Sequence, residues 1–274
     1  MPELPEVETV VRGLQTELPG RRFASVSLFR PDLRFSLPEM MEERLQDQEI
    51  TGIRRRAKYI LIDLASGETL MIHLGMSGQL MFAEADNYQQ AKHDHVLFAL
   101  DDGRLLRYHD PRRFGMMVLA ETAELSAHPL LAHLGPEPLP KLDATYLAKK
   151  LSARKGPIKP ALMDQTLVVG VGNIYACEAL FLARIHPEAP AFQTVDKANV
   201  VVKAIQQVLL AAIDSGGSTL RDYVRSSGDI GYFQHQFQVY GRSNAPCYVC
   251  TTPIAQLKQA GRSTFYCPNC QAPL

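Results

Sequence analysis

The sequence predicts an α+β protein of two domains: an N-terminal antiparallel β-sandwich with flanking helices, then a helical domain ending in a small hairpin module. Three observations predict it. Between residues 58 and 120, short runs of apolar residues recur between glycine-containing turns, as strands of an antiparallel sheet do. Beyond a proline-rich stretch the apolar period becomes helical. The last 30 residues hold four of the five cysteines, in two closely spaced pairs. At 274 residues the chain is long for one domain, and it contains no run of 18 or more apolar residues.

Taken in order, the chain opens MPELPEVE and continues as a helix. Val7, Val10, Val11, Leu14 and Leu18 recur on one face until Pro19-Gly20 stops the run. Ser36 and Glu39 have the spacing of a capping box and predict a short helix through Met40, Met41 and Leu45. Strands are expected at KYILIDL, at TLMIHL and GQLMF as a pair across a Gly-Met-Ser-Gly turn, at VLFAL and RLLRYH across a DDG hairpin, and at MMVLA. GPEPLPKLD, at 135–143, carries three prolines and marks the boundary. The expected division is 1–134 for the sandwich, 135–146 for a linker, 147–236 for the helical domain and 237–274 for the hairpin module. Helices are expected at IKPALMDQ, at GNIYACEALFLARI and at ANVVVKAIQQVLLAAIDSGG, the last ended by Gly216-Gly217.

Charge and cysteine usage narrow the function. Lys+Arg and Asp+Glu balance at 29 each, but residues 145–274 carry 13 basic against 7 acidic side chains and residues 1–144 carry 16 against 22. A polyanion could be held by local patches, while the neutral whole excludes indiscriminate coating of nucleic acid. The acidic start lacks the basic and apolar segments of a secretion signal, so a cytoplasmic, non-membrane protein is expected. In that setting Cys247, Cys250, Cys267 and Cys270, spaced Cys-x2-Cys-x16-Cys-x2-Cys, predict one structural zinc ion. Four thiolates fill a tetrahedral site and leave no position for a reactive water. The alternative, two redox pairs, lacks a thioredoxin-like βαβ pattern around it. PIAQLKQAGRSTFY between the pairs reads as strand, turn, strand, with Gly261-Arg262 at the tip. Cys177 stands apart and is expected to be a buried, inert thiol.

The first residues pose a separate question. Pro5 and the acids after it suffice to start a helix, which leaves Pro2 and Glu3 without a structural task. If Met1 is removed, Pro2 carries a free secondary amine, a potential nucleophile.

PELPEVE at the start, RRAKY at 55–59, HLGMSG at 73–78, KHDHV at 92–96, DPRRFG at 110–115, LGPEPL at 134–139, GVGNIY at 170–175, QVYGR at 238–242 and the cysteine hairpin occur in one order along the whole chain. In these motifs the chain resembles the bacterial formamidopyrimidine-DNA glycosylases, which are related to endonuclease VIII. The resemblance implies a β-sandwich followed by a helix-two-turns-helix domain with a zinc finger, DNA held in the cleft between them, excision of 8-oxoguanine and formamidopyrimidines, and cleavage of the abasic strand. It implies Pro2 as nucleophile, Glu3 as general acid/base with Glu6 in support, Lys58 of RRAKY as a catalytic contact to lesion or phosphate, and Arg262 as the hairpin arginine that grips phosphate. A proline amine suits the task, since its pKa near 8, against about 10 for lysine, leaves more free base at neutral pH. Extruding a base leaves a gap to fill. Phe114 matches the wedge, Arg112 the partner of the orphaned cytosine and Met76 the third filler. His93, Arg112, Arg154 and Asn173 match phosphate-contacting positions, Arg154 standing where a lysine is common. GVGN lacks the Gly-Lys-Ser/Thr of a nucleotide-binding loop. The segment 226–233 matches the family's loop over the extruded base, and the family is monomeric.

Two other functions compete. An endonuclease VIII-like enzyme for oxidised pyrimidines would share Pro2, Glu3, the lysine and the zinc, but PELPE together with Arg112 and Phe114 favours the purine branch. A noncatalytic zinc-finger protein that binds damaged DNA would not be trapped on DNA by borohydride.

Overall fold

The computed structural model describes residues 2–140, 142–218 and 232–273. Described residues within Met1–Ala132 and Ser215–Tyr232 form one unit, and those within His133–Asp214 and Phe233–Leu274 form a second.

In the first unit, helix α1 (Leu4–Gln15) buries Val7, Val10, Val11 and Leu14. It ends earlier than its apolar period, and Leu18 reaches the core from the turn beyond it. The strands are β1 (Phe23–Leu28), β2 (Ile50–Arg56), β3 (Tyr59–Leu64), β4 (Glu68–His73), β5 (Gln79–Glu84), β6 (Asp94–Leu100), β7 (Arg104–His109) and β8 (Met116–Glu121), with the short helix α2 (Met41–Leu45) between β1 and β2. They form two four-stranded antiparallel sheets, ordered β1-β6-β7-β5 and β2-β3-β4-β8. One core joins residues of both sheets with α1 and α2, from Val7 and Leu14 through Phe23, Ile60 and Ile72 to Phe98 and Tyr108. The DDG hairpin joins β6 to β7 as expected.

Two expectations fail here for physical reasons. TLMIHL and GQLMF are not a hairpin: β4 pairs with β3 and β8, and β5 pairs with β7 in the other sheet. The turn between them closes from Gly78 N–H to the Leu74 carbonyl at 2.8 Å, and β8 takes the edge of β4, with Met116 opposite His73. The Ser36–Glu39 capping box does not form. Leu37 N–H bonds the Pro31 carbonyl and Ser36 bridges Asp32, so this stretch is a closed loop and α2 starts after Met40, without a side-chain cap. Strands β1 and β2 carry weak signals, since FASVSL is short and broken by two serines and ITGIRRR ends in three arginines.

The second unit contains α3 (Ala144–Ser152), α4 (Ile158–Leu162), α5 (Asn173–Leu182), α6 (Ala198–Asp214) and the hairpin β9 (Ala255–Gln259)/β10 (Arg262–Tyr266). Helix α3 begins inside the stretch read as linker, where Asp143 caps it by accepting from Thr145 N–H at 2.8 Å. α5 is apolar all round and correspondingly buried, and both α3 and α5 pack on α6. Gly216 and Gly217 follow α6 at φ 75° and 80°. Among the described residues no helix is long and apolar enough to cross a membrane.

Candidate active site and zinc module

The structure gives Glu3 a local task. It is the N-cap of α1 in a reciprocal capping box: its side chain accepts from Glu6 N–H, and Glu6 Oε2 accepts from Glu3 N–H at 2.8 Å. Pro2, Glu3 and Glu6 are all buried. The other oxygen of Glu6 accepts from Ser218 N–H at 2.8 Å and from its hydroxyl at 2.9 Å. Both Glu6 oxygens are therefore engaged, which makes Glu6 a positioning group that ties the start of α1 to residue 218.

Lys58 sits on the β2–β3 hairpin, where Arg56 faces Tyr59 and Ala57 takes a left-handed φ of 52°. Its side chain is buried. Opposite Tyr59 in the next pair stands His73, whose ring lies 5.0 Å from the tyrosine ring. Burial first, then the charges of Lys58 and Arg34, lower the His73 pKa from 6.5 to about 4. This imidazole is neutral at physiological pH, and its Nδ1 accepts from Gly75 N–H at 3.0 Å.

Gly75 leads into the three expected gap-filling residues, and Asp110 holds them together. The Asp110 carboxylate is fully buried; one oxygen accepts from Ser77 Oγ at 2.6 Å, the other from Gly115 N–H at 2.9 Å and the Tyr108 hydroxyl at 3.3 Å. Ser77 Oγ in turn accepts from Arg112 N–H at 3.1 Å. A side chain at Gly75 (φ +61°) would overlap the Phe114 backbone, its Cβ 2.3 Å from the carbonyl carbon, so the turn of Met76 and the loop of Arg112 and Phe114 lie backbone to backbone. Phe114 is 44% exposed with the Arg112 guanidinium 5.1 Å from its ring centre. An exposed aromatic on a rigid base is what insertion into a base stack requires. His93 lies at the root of the same loop: its carbonyl accepts from Asp110 N–H at 2.9 Å, and its ring is edge-on to those of His109 and His95.

In the second unit, Arg154 is paired with Asp164 at 2.7 Å. The Asn173 side chain, expected to face phosphate, is engaged internally: Oδ1 accepts from Lys159 Nζ at 2.6 Å and Nδ2 donates to the Ser263 carbonyl at 2.9 Å. Lys159, 1% exposed, also donates to Thr264 Oγ1 at 2.8 Å. These bonds brace β10 and with it Arg262, the exposed first residue of that strand beside the Ala260-Gly261 turn. Glu178 on α5 does the same for the preceding segment, accepting from Gln238, Val239 and Tyr240 N–H groups at 2.8–3.0 Å. Burial raises its pKa, partly offset by these donors.

The four hairpin cysteines converge, their sulfur atoms all within 4.8 Å of one another. Cys247–Cys270, Cys250–Cys267 and Cys250–Cys270 sulfurs lie 3.9, 3.4 and 3.5 Å apart. Tetrahedral Zn–S bonds of ~2.3 Å put sulfurs ~3.8 Å apart, so the donors fit zinc. Cys177 is buried in the same apolar cluster as Cys247 and Cys267.

Residues 1–117 match the formamidopyrimidine-DNA glycosylase N-terminal domain, residues 134–224 the formamidopyrimidine-DNA glycosylase H2TH domain, and residues 245–273 the zinc finger found in FPG and IleRS. The chain belongs to the formamidopyrimidine-DNA glycosylase family. Formamidopyrimidine-DNA glycosylases of Cereibacter sphaeroides and Dinoroseobacter shibae are 48% and 49% identical to it, over 99% of this chain and 100% of theirs. The fold is that of Lactococcus lactis Fpg in complex with DNA containing an abasic site (TM-score 0.91, 36% identity, 98% of this chain and 99% of that one). A point mutant of the same protein bound to Fapy-dG-containing DNA matches equally (TM-score 0.91, 36% identity, 99% and 100%). As a formamidopyrimidine-DNA glycosylase family member, the protein is a DNA glycosylase of base excision repair with a four-cysteine zinc finger.

Several residues that build the site had no role in the sequence reading. Asp110 and Ser77 lie inside DPRRFG and HLGMSG, where nothing local distinguishes them from their exposed neighbours. Lys159 and Glu178 look like surface charges of helices. In the family's zinc finger, the Cys247→Ser variant should bind less zinc and loosen the β9/β10 hairpin before the sandwich is affected. Zinc content by atomic absorption, with hydrogen exchange of 255–266, checks this; full zinc retention would exclude the four-thiolate site.

Proposed function

We propose that this protein excises 8-oxoguanine and formamidopyrimidines from duplex DNA through a Schiff base on Pro2, then cleaves the abasic strand by β,δ-elimination. The observation that carries the reading is the burial of Pro2 and Glu3 at the capped start of α1: the carboxylate adjoins the residue whose nitrogen becomes a terminal amine once Met1 is removed. In this scheme the Pro2 nitrogen attacks C1′ of the damaged nucleotide and the base departs with the glycosidic electron pair. Glu3 donates a proton to the sugar ring oxygen as the ring opens. The proton on the attacking nitrogen passes to the departing base; the nitrogen then has no further hydrogen to lose, so ring opening yields a charged iminium, and loss of the C2′ proton sends that C–H electron pair towards it. The 3′ phosphate leaves first and the 5′ phosphate second.

Lys58 contacts the lesion or its phosphate, Arg262 grips the flanking phosphate, and His93, Arg112, Arg154 and the backbone N–H of Asn173 at the start of α5 hold the bent duplex. Phe114, Met76 and Arg112 fill the gap, Arg112 pairing with the orphaned cytosine. Zinc, bound by Cys247, Cys250, Cys267 and Cys270, shapes the hairpin and takes no part in the chemistry. The protein acts as a monomer in the cytoplasm, where the chromosome lies. Lesion-bearing DNA in the Lactococcus relatives' structures supports this reading.

Borohydride reduction on an 8-oxoguanine duplex tests it. The parent should be trapped covalently, and Pro2→Gly, a primary amine without the ring, should trap and excise less. Equal trapping by Pro2→Gly would place the nucleophile elsewhere, and no trapping of the parent would leave a binder.

A further inference from the structure

None of the roles above uses Arg55, yet only 10% of its side chain is exposed, against 46% for the neighbouring Arg54. Its Nε donates to Glu8 Oε2 at 2.7 Å, and one terminal nitrogen donates to the Ala57 carbonyl at 3.0 Å. Glu8 belongs to α1, and its second oxygen accepts from Arg12 at 3.0 Å. Burial would raise the Glu8 pKa, but the hydrogen bonds from Arg55 and then Arg12 outweigh it and hold the carboxyl below its ordinary value. Ala57 is the left-handed turn residue, and its carbonyl belongs to the peptide bond that leads into Lys58. One guanidinium therefore fixes the plane of that peptide and at the same time fastens it to α1. A second tie, Gln15 Nε2 to the Ile53 carbonyl at 2.7 Å, joins the far end of α1 to the same strand. Arg54 differs: it forms a fork with Asp63 at 2.8 and 3.0 Å on the exposed face.

We infer that the Glu8–Arg55 pair is a positioning device that sets Lys58 against the Pro2-Glu3 end of α1. The inference rests on the proposed roles of Pro2, Glu3 and Lys58. Two elements bear the reacting groups, and packing of apolar side chains alone leaves them free to slide by fractions of an ångström. A charge-assisted tie between two largely buried groups is directional and removes that freedom. A misplacement of about 1 Å at a reacting centre costs up to about a hundredfold in rate.

The test is a double-mutant cycle read by single-turnover excision of 8-oxoguanine opposite cytosine. Arg55→Ala should slow excision by about ten- to a hundredfold, and Arg55→Lys, which keeps the charge but cannot reach both acceptors, should fall between it and the parent. Arg54→Ala should excise at the parental rate. In a Lys58→Ala background the further loss from Arg55→Ala should vanish, because nothing is left to position. If that loss persists in full, Arg55 supports the fold in general and the inference is overturned. A Lys58→Ala variant that excises at the parental rate would instead remove Lys58 from the chemistry, and the inference with it. Should Arg55→Ala fail to fold, the same cycle is run with Arg55→Lys, and the same two outcomes decide it.

Discussion

Glu3→Gln should bind an abasic-analogue duplex as the parent does and excise 8-oxoguanine about 10²- to 10⁴-fold more slowly, the range expected when a positioned general acid/base is lost. The variant separates chemistry from structure because Glu3 has two jobs. As N-cap it accepts from Glu6 N–H, which a glutamine carbonyl can also do. As acid it must give up a proton, which an amide cannot. Glu3→Ala removes both functions and should also lower stability by about 0.5–2 kcal/mol, the usual cost of a lost N-cap. Thermal unfolding of the two variants beside single-turnover excision makes the separation measurable: Glu3→Gln slow with parental melting, Glu3→Ala slow and less stable. A Glu3→Gln rate within a few-fold of the parent would leave Glu3 as a cap alone.

What could be read from the chain follows from how local each signal is. The zinc ligands were legible because only two residues separate the cysteines of each pair and the ion needs only four sulfurs in one place. Helix α6 and most strands were legible because burial imposes a period or a short apolar run on neighbouring residues, and α4 and α5 because they are mostly apolar stretches that follow a proline or a glycine. Pairing was not. Whether β4 meets β5 or β8 is decided by the loop at 110–115, some 35 residues away, which lies against the turn that a hairpin would need. The candidate site divides along the same line. Exposed functional side chains such as Phe114 stand out as chemically misplaced for a loop. The groups that hold them, Asp110 and Ser77, form bonds across 33 residues, and Glu6 meets Ser218 across 212. Lys159 is the extreme case, since a lysine inside a helical period reads as solvated until Asn173 and Thr264, 14 and 105 residues away, are seen to bury it. Residues 226–231 of the segment matched to the lesion loop lie outside the described residues.

The same long-range dependence makes one glycine decisive. Gly115→Ala should destabilise the first unit by roughly 3–6 kcal/mol, combining overpacking of a filled core with the loss of a buried hydrogen bond. A Cβ there would fall 1.7 Å from the Tyr108 hydroxyl oxygen, 2.9 Å from its Cζ and 3.0 Å from Asp110 Oδ2. Tyr108 cannot give way outward, because it is fully buried within the sandwich core. The backbone cannot retreat without breaking the bond from Gly115 N–H to Asp110, which leaves a buried carboxylate short of a donor. Because Asp110 also holds Ser77, and Ser77 the Arg112 amide, the strain passes to the turn of Met76 and the loop of Phe114. At about 2–4 °C per kcal/mol the melting temperature should fall by roughly 6–24 °C. Discrimination between base pairs around the lesion should weaken at temperatures where the variant is still folded, since the wedge loses its base. Tyr108→Phe in the same chain removes the atom in closest conflict and should recover part of the melting temperature, although Tyr108→Phe alone, deleting a hydroxyl that donates to Asp110, should be mildly destabilising. Differential scanning calorimetry of the three variants decides the matter. A Gly115→Ala protein that melts with the parent would mean that the loop repacks freely and that Asp110 is not the anchor of the wedge.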